Sequence, residues 1–311
     1  MDIIIPIICN SNFDLSKFDF SFKGIKILDV KSDLFEDYIK KLQPDFQKAN
    51  MVFVHDIRTQ IQTENEFDKR FAIVKDNPTE NFNYSEIQNV WKLLLILFPS
   101  DLQIEHEIYY RHEDNFIQRS HMTTWNRHYT GEYPGENLIA NDDNIDEVNE
   151  YIKLVFERLN NNNYIGIAIE NYITSYSASH LHYQYLTLCI ALESIINGSQ
   201  ELTYRLKRTI AIICGEDSQN CNIIYSNLNK LYSLRSKIIH GEEYEHNKVS
   251  EYIKPLKAIV SRTIIELLIH NIAKNLDLNN KITEIGFGDR LKISDTWKNY
   301  KLNEFTIVEI N

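Results

Sequence analysis

Val249, Tyr252, Ile253, Leu256, Ile259, Val260, Ile264, Leu267 and Leu268 lie on one stripe of 3.6-residue period. A strand alternates faces every second residue and cannot bury such a stripe. The segment must lie as a long helix against other helices. The same period runs back to Ile145 and predicts helices at about 145–160, 164–178, 180–197, 201–214, 219–240 and 248–275. The Asn160–Asn163 tract separates the first two, and Asn197-Gly198 closes the third. Gly215 and Gly241 close the fourth and fifth, because glycine just past a helix end accepts positive φ.

The first 130 residues read differently. Asp2–Cys9, Ile25–Lys31 and Met51–Ile57 are short β-branched runs between polar clusters, as strands would be. Leu34–Leu42 predicts a short helix. Ser85–Phe98 predicts a stronger one, with Ser85 as N-cap and Pro99 past its end. Ile104, His106, Ile108 and Tyr110 alternate with polar residues, which suggests a half-buried strand. The turn-forming tract Tyr129–Asn144 then marks a boundary. The expected class is α+β: a mixed α/β domain over 1–140, an all-α bundle over 145–275 and a tail over 276–311. A short strand near Phe305–Ile310 is expected to rejoin the N-terminal sheet.

Composition narrows the field. Aromatic residues at 12% and charged residues at 25% supply a core and an ordinary surface, which excludes disorder for most of the 311 residues. Cys9, Cys189, Cys214 and Cys221 show no CxxC spacing and mostly sit in apolar stretches, so buried thiols in a reducing compartment are expected. The start, MDIIIPIICNS, lacks a basic region and is too short in apolar residues for a signal peptide. No run approaches the roughly 18–20 apolar residues of a membrane span. The expectation is a soluble cytoplasmic protein that engages no membrane. The net charge of −11 is unevenly spread: residues 201–274 come to about +3. Local potential steers ligands more than the whole-chain sum, so nucleic acid stays in play.

The segment Leu231–Gly241, LYSLRSKIIHG, carries the most chemistry. Ile224, Leu228, Leu231 and Ile238 form an apolar stripe, and Arg235 falls in its middle. A guanidinium there needs an anion or a partner surface, or else it pairs with a buried carboxylate or snorkels out. His240 closes the same helix, with Ser236 one turn behind it on the same face. The set offers a fixed cation for phosphate and a group that moves protons near neutral pH. In a straight helix, however, residues five apart diverge by about 140°. Distortion at Gly241, or a second copy across a two-fold axis, would bring Arg235 and His240 together. Glu193 sits in line with Leu186, Ile190 and Ile196 and calls for a cation, with Arg205, Arg208 and Arg235 as candidates; a structural ion pair and a catalytic part are both open.

RSKIIHG resembles the R-x4–6-H motif of HEPN domains (higher eukaryotes and prokaryotes nucleotide-binding), particularly the ApeA-like group. ALESIING at 191–198 and ELTYRLKRTIAIICG at 201–215 precede it in the matching order, so the resemblance covers about 165–275. It implies a helical bundle that dimerises about the motif helix. Active members are metal-independent ribonucleases, many acting as toxins or in defence against phage. Carried over by position, Arg235 and His240 are the catalytic pair. Many members have Asn, Asp or His directly after the arginine, where this chain has Ser236. Ser236 and Glu193 would support the pair. Arg205, Arg208 and Lys237 would contact the RNA backbone, or Arg205 and Arg208 would simply be solvated. No cofactor and no metal are implied.

Other constellations are weaker. His106, His112, His121 and His128 fit no zinc spacing. His180 and His182, two apart on the predicted helix, should face opposite ways. No GxxxxGK[ST], strand-linked GxGxxG or GxSxG is present, and Tyr244 reads as a surface aromatic. The expected function is a dimeric endoribonuclease acting on RNA, tRNA among the substrates, in a toxin or anti-phage role. A protein partner that inhibits or activates it is also expected. The alternative is a non-catalytic HEPN module that dimerises or binds RNA or nucleotide as a scaffold.

Overall fold

A computed structural model describes residues 2–42, 69–76, 84–113, 116–124, 138, 140–161, 163–196, 201–215, 217–286, 307, 309 and 310. The fold is of the α+β class. The chain divides into two units. One comprises Met1–Leu95, Ser100–Asn126 and Gly135–Lys153; the other contains Ile96–Pro99 and Leu154–Asn311. The expected strand Met51–Ile57, the Asn197-Gly198 stop and most of the Tyr129–Asn144 break lie outside the described residues.

The first unit is built on an antiparallel five-stranded sheet. Its strands are β1 (Asp2–Ser11), β2 (Ile25–Asp29), β3 (Lys69–Lys75), β4 (Gln103–Glu113) and β5 (Phe116–Thr124), in the order β2-β3-β1-β4-β5. Helix α1 (Asp33–Leu42) starts where the Ser32 hydroxyl accepts the Phe35 N–H at 3.2 Å, which satisfies one of the donors a helix start leaves unpaired. It lays Phe35, Tyr38 and Ile39 on Ile5, Ile7, Ala72, Val74 and Ile108 of the sheet. Helix α2 (Tyr84–Leu97) begins one residue before Ser85, which therefore stands inside the helix and not at its cap. β3 was not expected. Phe71, Ala72, Ile73 and Val74 are all buried, and a strand covered on both faces shows an unbroken apolar run instead of alternation. A bulge between Ile7 and Ile8 of β1 opposes them to His106 and Ile104 and leaves Glu105 over. That residue takes the Arg70 guanidinium, with Nε at 2.7 Å and Nη2 at 3.1 Å.

The helices that follow are α3 (Ile145–Asn161), α4 (Asn163–Ser175), α5 (Leu181–Ile195), α6 (Leu202–Cys214), α7 (Ser218–His240), α8 (His246–Ile269) and α9 (Asn275–Gly286). α8 packs against α4, α5 and α6. Its burial is not confined to a stripe: every residue from Leu256 to Leu268 is buried, including Arg262 and Glu266. These two form an ion pair with side chains 3% and 1% exposed. The Ser261 hydroxyl donates to the Ile96 carbonyl at 2.6 Å.

Two helix ends correct the sequence reading. α8 stops at Ile269 rather than 275: Asn271 adopts φ 50°, its N–H bonds the Leu268 carbonyl, and the Ile272 N–H bonds that of Leu267. Ile272 is buried beyond this cap, so an apolar residue that seemed to continue the stripe instead seals its end. α9 then occupies part of the expected tail. Gly215 is required for a different reason than expected. Its φ is −84°, which any residue adopts, but a Cβ there would meet the Cys221 sulfur at 2.4 Å and the Ala211 carbonyl oxygen at 2.7 Å. Close approach of α6 and α7 selects the glycine.

The tail shows no strand among its described residues. Ile310 donates its N–H to the Asn227 side chain at 2.9 Å and accepts from Lys230, both on α7. The expected return to the sheet is replaced, at Ile310, by docking on a helix of the second unit.

Candidate functional site

The motif helix α7 is fixed at both ends. Asp217 caps its start by accepting the Asn220 N–H at 2.8 Å. At its end Gly241 adopts φ 66°, its N–H meets the Ile238 carbonyl, and the Glu242 N–H bonds the Lys237 carbonyl at 2.9 Å. This is a Schellman cap with glycine in the left-handed position, as the sequence suggested. Ile224, Leu228 and Leu231 are fully buried along one side.

Helix α5 runs parallel to α7 and meets it at three levels. The Tyr185 hydroxyl donates to the Leu231 carbonyl at 2.8 Å, and that of Tyr232 donates to the Cys189 carbonyl at 3.4 Å. At the third level Arg235 meets Glu193. Nη2 donates to Oε2 at 3.1 Å, and Nε lies 3.1 Å from Oε1, off hydrogen-bond alignment. The side chains are 28% and 22% exposed. Of the three cations weighed for Glu193, Arg235 is the one that meets it. Arg carries five N–H donors in a planar fork, more than one carboxylate can take, so the pair fixes the guanidinium without exhausting it.

Beneath the pair, Tyr185, Cys189 and Tyr232 are buried. Burial holds the Cys189 thiol and the Tyr185 and Tyr232 hydroxyls well above their ordinary ranges, and for Cys189 and Tyr232 the Glu193 charge adds to the rise. These groups stay neutral and frame the ion pair without exchanging protons.

The remaining motif residues sit nearer the solvent. Ser236 is half-buried, while Lys237 and His240 are exposed. α7 is helical without interruption through His240, and the departure from helix comes after it, at Gly241. The helix backbone itself therefore does not turn His240 back towards Arg235. A regular helix sets them about 140° and about 7.5 Å apart. The left-handed turn at Gly241 lies beyond His240 and leaves the helical spacing of Arg235 and His240 unchanged.

On α6, Arg205 is half-buried and Arg208 exposed. Lys207, directly before Arg208, reaches α7: its Nζ donates to Asn229 Oδ1 at 2.7 Å. Sequence reasoning passed over Lys207 because only the three-residue spacing of the arginines stood out. Tyr244 is half-buried and packs its ring 4.9 Å from that of His246.

His180 and His182 depart from expectation. His180 caps α5 from outside in an extended conformation, so helical spacing does not apply to it. The two rings stack at 5.6 Å with an 11° interplanar angle, and Tyr183 lies 4.2 Å from His182. Along the outer side of α5, Tyr183 and Ile190 are exposed, as is Ile239 one turn beyond Arg235 on α7. Low periodicity in α5, which is apolar nearly all round, hid this outer face.

Among the described residues, no group of three or more His, Cys, Asp or Glu side chains is arranged to hold a metal ion, and no helix is long and apolar enough to cross a membrane. No family model matches the chain, and neither does any curated protein or solved structure.

Proposed function

We propose that the chain is a metal-independent endoribonuclease of HEPN type, acting as a homodimer on RNA in a toxin or anti-phage role. One observation carries the reading: Glu193 holds the Arg235 guanidinium, which is only partly exposed, on the helix that ends in the exposed His240. Arg235 would bind the non-bridging oxygens of the scissile phosphate and stabilise the charge that grows on the phosphorane. His240 would move protons. In the reaction the ribose 2′-oxygen attacks phosphorus and loses its proton, the bond from phosphorus to the 5′-oxygen breaks, and that oxygen gains a proton. The products are a 2′,3′-cyclic phosphate and a 5′-hydroxyl. DNA, lacking the 2′-hydroxyl, would resist.

The geometry of α7 supports a composite site, with Arg235 from one copy and His240 from the other. The exposed Tyr183, Ile190 and Ile239 offer apolar surface for that pairing. A partner protein that covers this surface would silence the enzyme.

The test incubates the purified chain with total RNA and tRNA in EDTA. Cleavage should survive the chelator. It should fall by about 10²–10⁴ in His240→Ala and by about 10²–10³ in Arg235→Ala. Mixing the two variants should restore cleavage, because a heterodimer holds one intact composite site. Intact RNA in every sample would overturn the enzyme reading.

The ion pair also favours a second reading, a non-catalytic module that dimerises or binds RNA or nucleotide. There the carboxylate neutralises Arg235 to fix the bundle. RNA binding that survives both substitutions, without cleavage, would single it out.

A further inference from the structure

Asn227 is fully buried on α7, and its carboxamide oxygen accepts the Ile310 N–H at 2.9 Å. Lys230, one turn on, donates its ammonium to the carbonyl of the same residue. Both polar main-chain groups of Ile310 are thus read by one helix face. The side chains of Ile307 and Ile310 are buried, while Glu309 between them is exposed. The residues 307, 309 and 310 carry neither helix nor strand, so no secondary structure of their own holds them there.

We infer that Asn227 and Lys230 form a peptide clamp, and that Ile310 occupies it as part of an intramolecular ligand that a separate peptide of the same chemistry can replace. Three features carry this. The clamp binds main-chain atoms, which every peptide possesses. Its selectivity rests on two aliphatic side chains three residues apart, with a polar residue between them facing solvent. Asn227 is fully buried on this face, and the bound main chain is a hydrogen-bond partner of its carboxamide oxygen. The fitting partner is a short non-helical peptide of the pattern Ile-x-x-Ile. It must outcompete a tethered segment whose effective concentration is of millimolar order. The inference does not rest on Arg235 or His240.

The test uses the full chain carrying Ile307→Asp and Ile310→Asp, which empties the clamp, and a fluorescent, end-capped peptide of sequence FTIVEI. Anisotropy should show saturable binding to this variant. Binding should be at least tenfold weaker to the unaltered chain and to the variant that also carries Asn227→Leu. Equal binding to all three, or none to the emptied variant, would overturn the inference. Should the emptied variant fail to fold, hydrogen exchange on the unaltered chain decides the matter. The Ile310 amide should be protected, and excess unlabelled peptide should speed its exchange; exchange that stays constant at millimolar peptide sinks the clamp.

Discussion

Glu193 and Arg235 face each other across two parallel helices, 42 residues apart in sequence and 3.1 Å apart in space. Because both are about three-quarters buried, removing one leaves a charge that water reaches only in part. Glu193→Ala should destabilise the chain by about 1–2 kcal/mol, less than the 3–5 of a fully buried pair because the partial exposure screens it. The check is the urea midpoint at unchanged slope. Combining Glu193→Ala with Arg235→Met should cost less than the sum of the two. Strict additivity would mean that the pair contributes nothing.

Gly215 and Gly241 both follow helices, yet they should respond differently to alanine. Gly215→Ala drives a methyl into the Cys221 sulfur and a backbone carbonyl, and should cost about 1–3 kcal/mol or more. Cys221→Ala should relieve that only partly, because the Ala211 carbonyl remains. Gly241→Ala meets no neighbour and should cost about 1–2 kcal/mol, from the left-handed backbone alone. Thermal melts of the three variants test the distinction.

The Arg262–Glu266 pair on α8 is almost entirely buried. Arg262→Met alone should cost about 3–5 kcal/mol, since it takes the guanidinium from a carboxylate that is 1% exposed and has the His270 Nε2 3.5 Å away. Adding Glu266→Leu should recover most of that loss. A double variant no more stable than the single one would show that the charges organise more than each other.

Alkali should unfold this chain earlier than acid-sensitive groups alone would suggest. Burial pushes the Cys214 thiol up to about 12 and raises Cys189, Tyr172, Tyr185 and Tyr232. Each binds its proton more tightly when folded than when unfolded, where thiols titrate near 8.5 and phenols near 10. Stability from these groups is therefore complete below about pH 8.5 and declines as pH rises towards their folded values. Melts between pH 7 and 10.5 should show a falling midpoint, shallower in Cys214→Ala. Cys189 and Cys214 should resist iodoacetamide at pH 8 until denaturant is added.

The motif helix was legible because it carries a 3.6 period and a stop residue that means one thing, Gly241. The residues Asn271 and Ile272 were not, since asparagine in the left-handed region and an apolar residue beyond a cap both look like more helix. β3 hid behind its own burial, and the Arg70–Glu105 pair behind a bulge that no local pattern announces. In the site, Arg235 stood out as a charge on an apolar stripe, and Glu193 as a charge in search of a partner. Asn227 did not, because an uncharged polar residue on a helix raises no alarm until the chain that meets it, eighty-three residues later, is seen in place.

α7 runs unbroken from its aspartate cap to its glycine cap, and this makes the interval between the guanidinium and the imidazole indivisible. One residue inserted or removed there would swing the ring by about 100° around the axis and slide it by about 1.5 Å. Such a change alters direction far more than distance. Descendants of this sequence can therefore vary what lies between the two side chains, but any change in the number of residues re-aims one against the other.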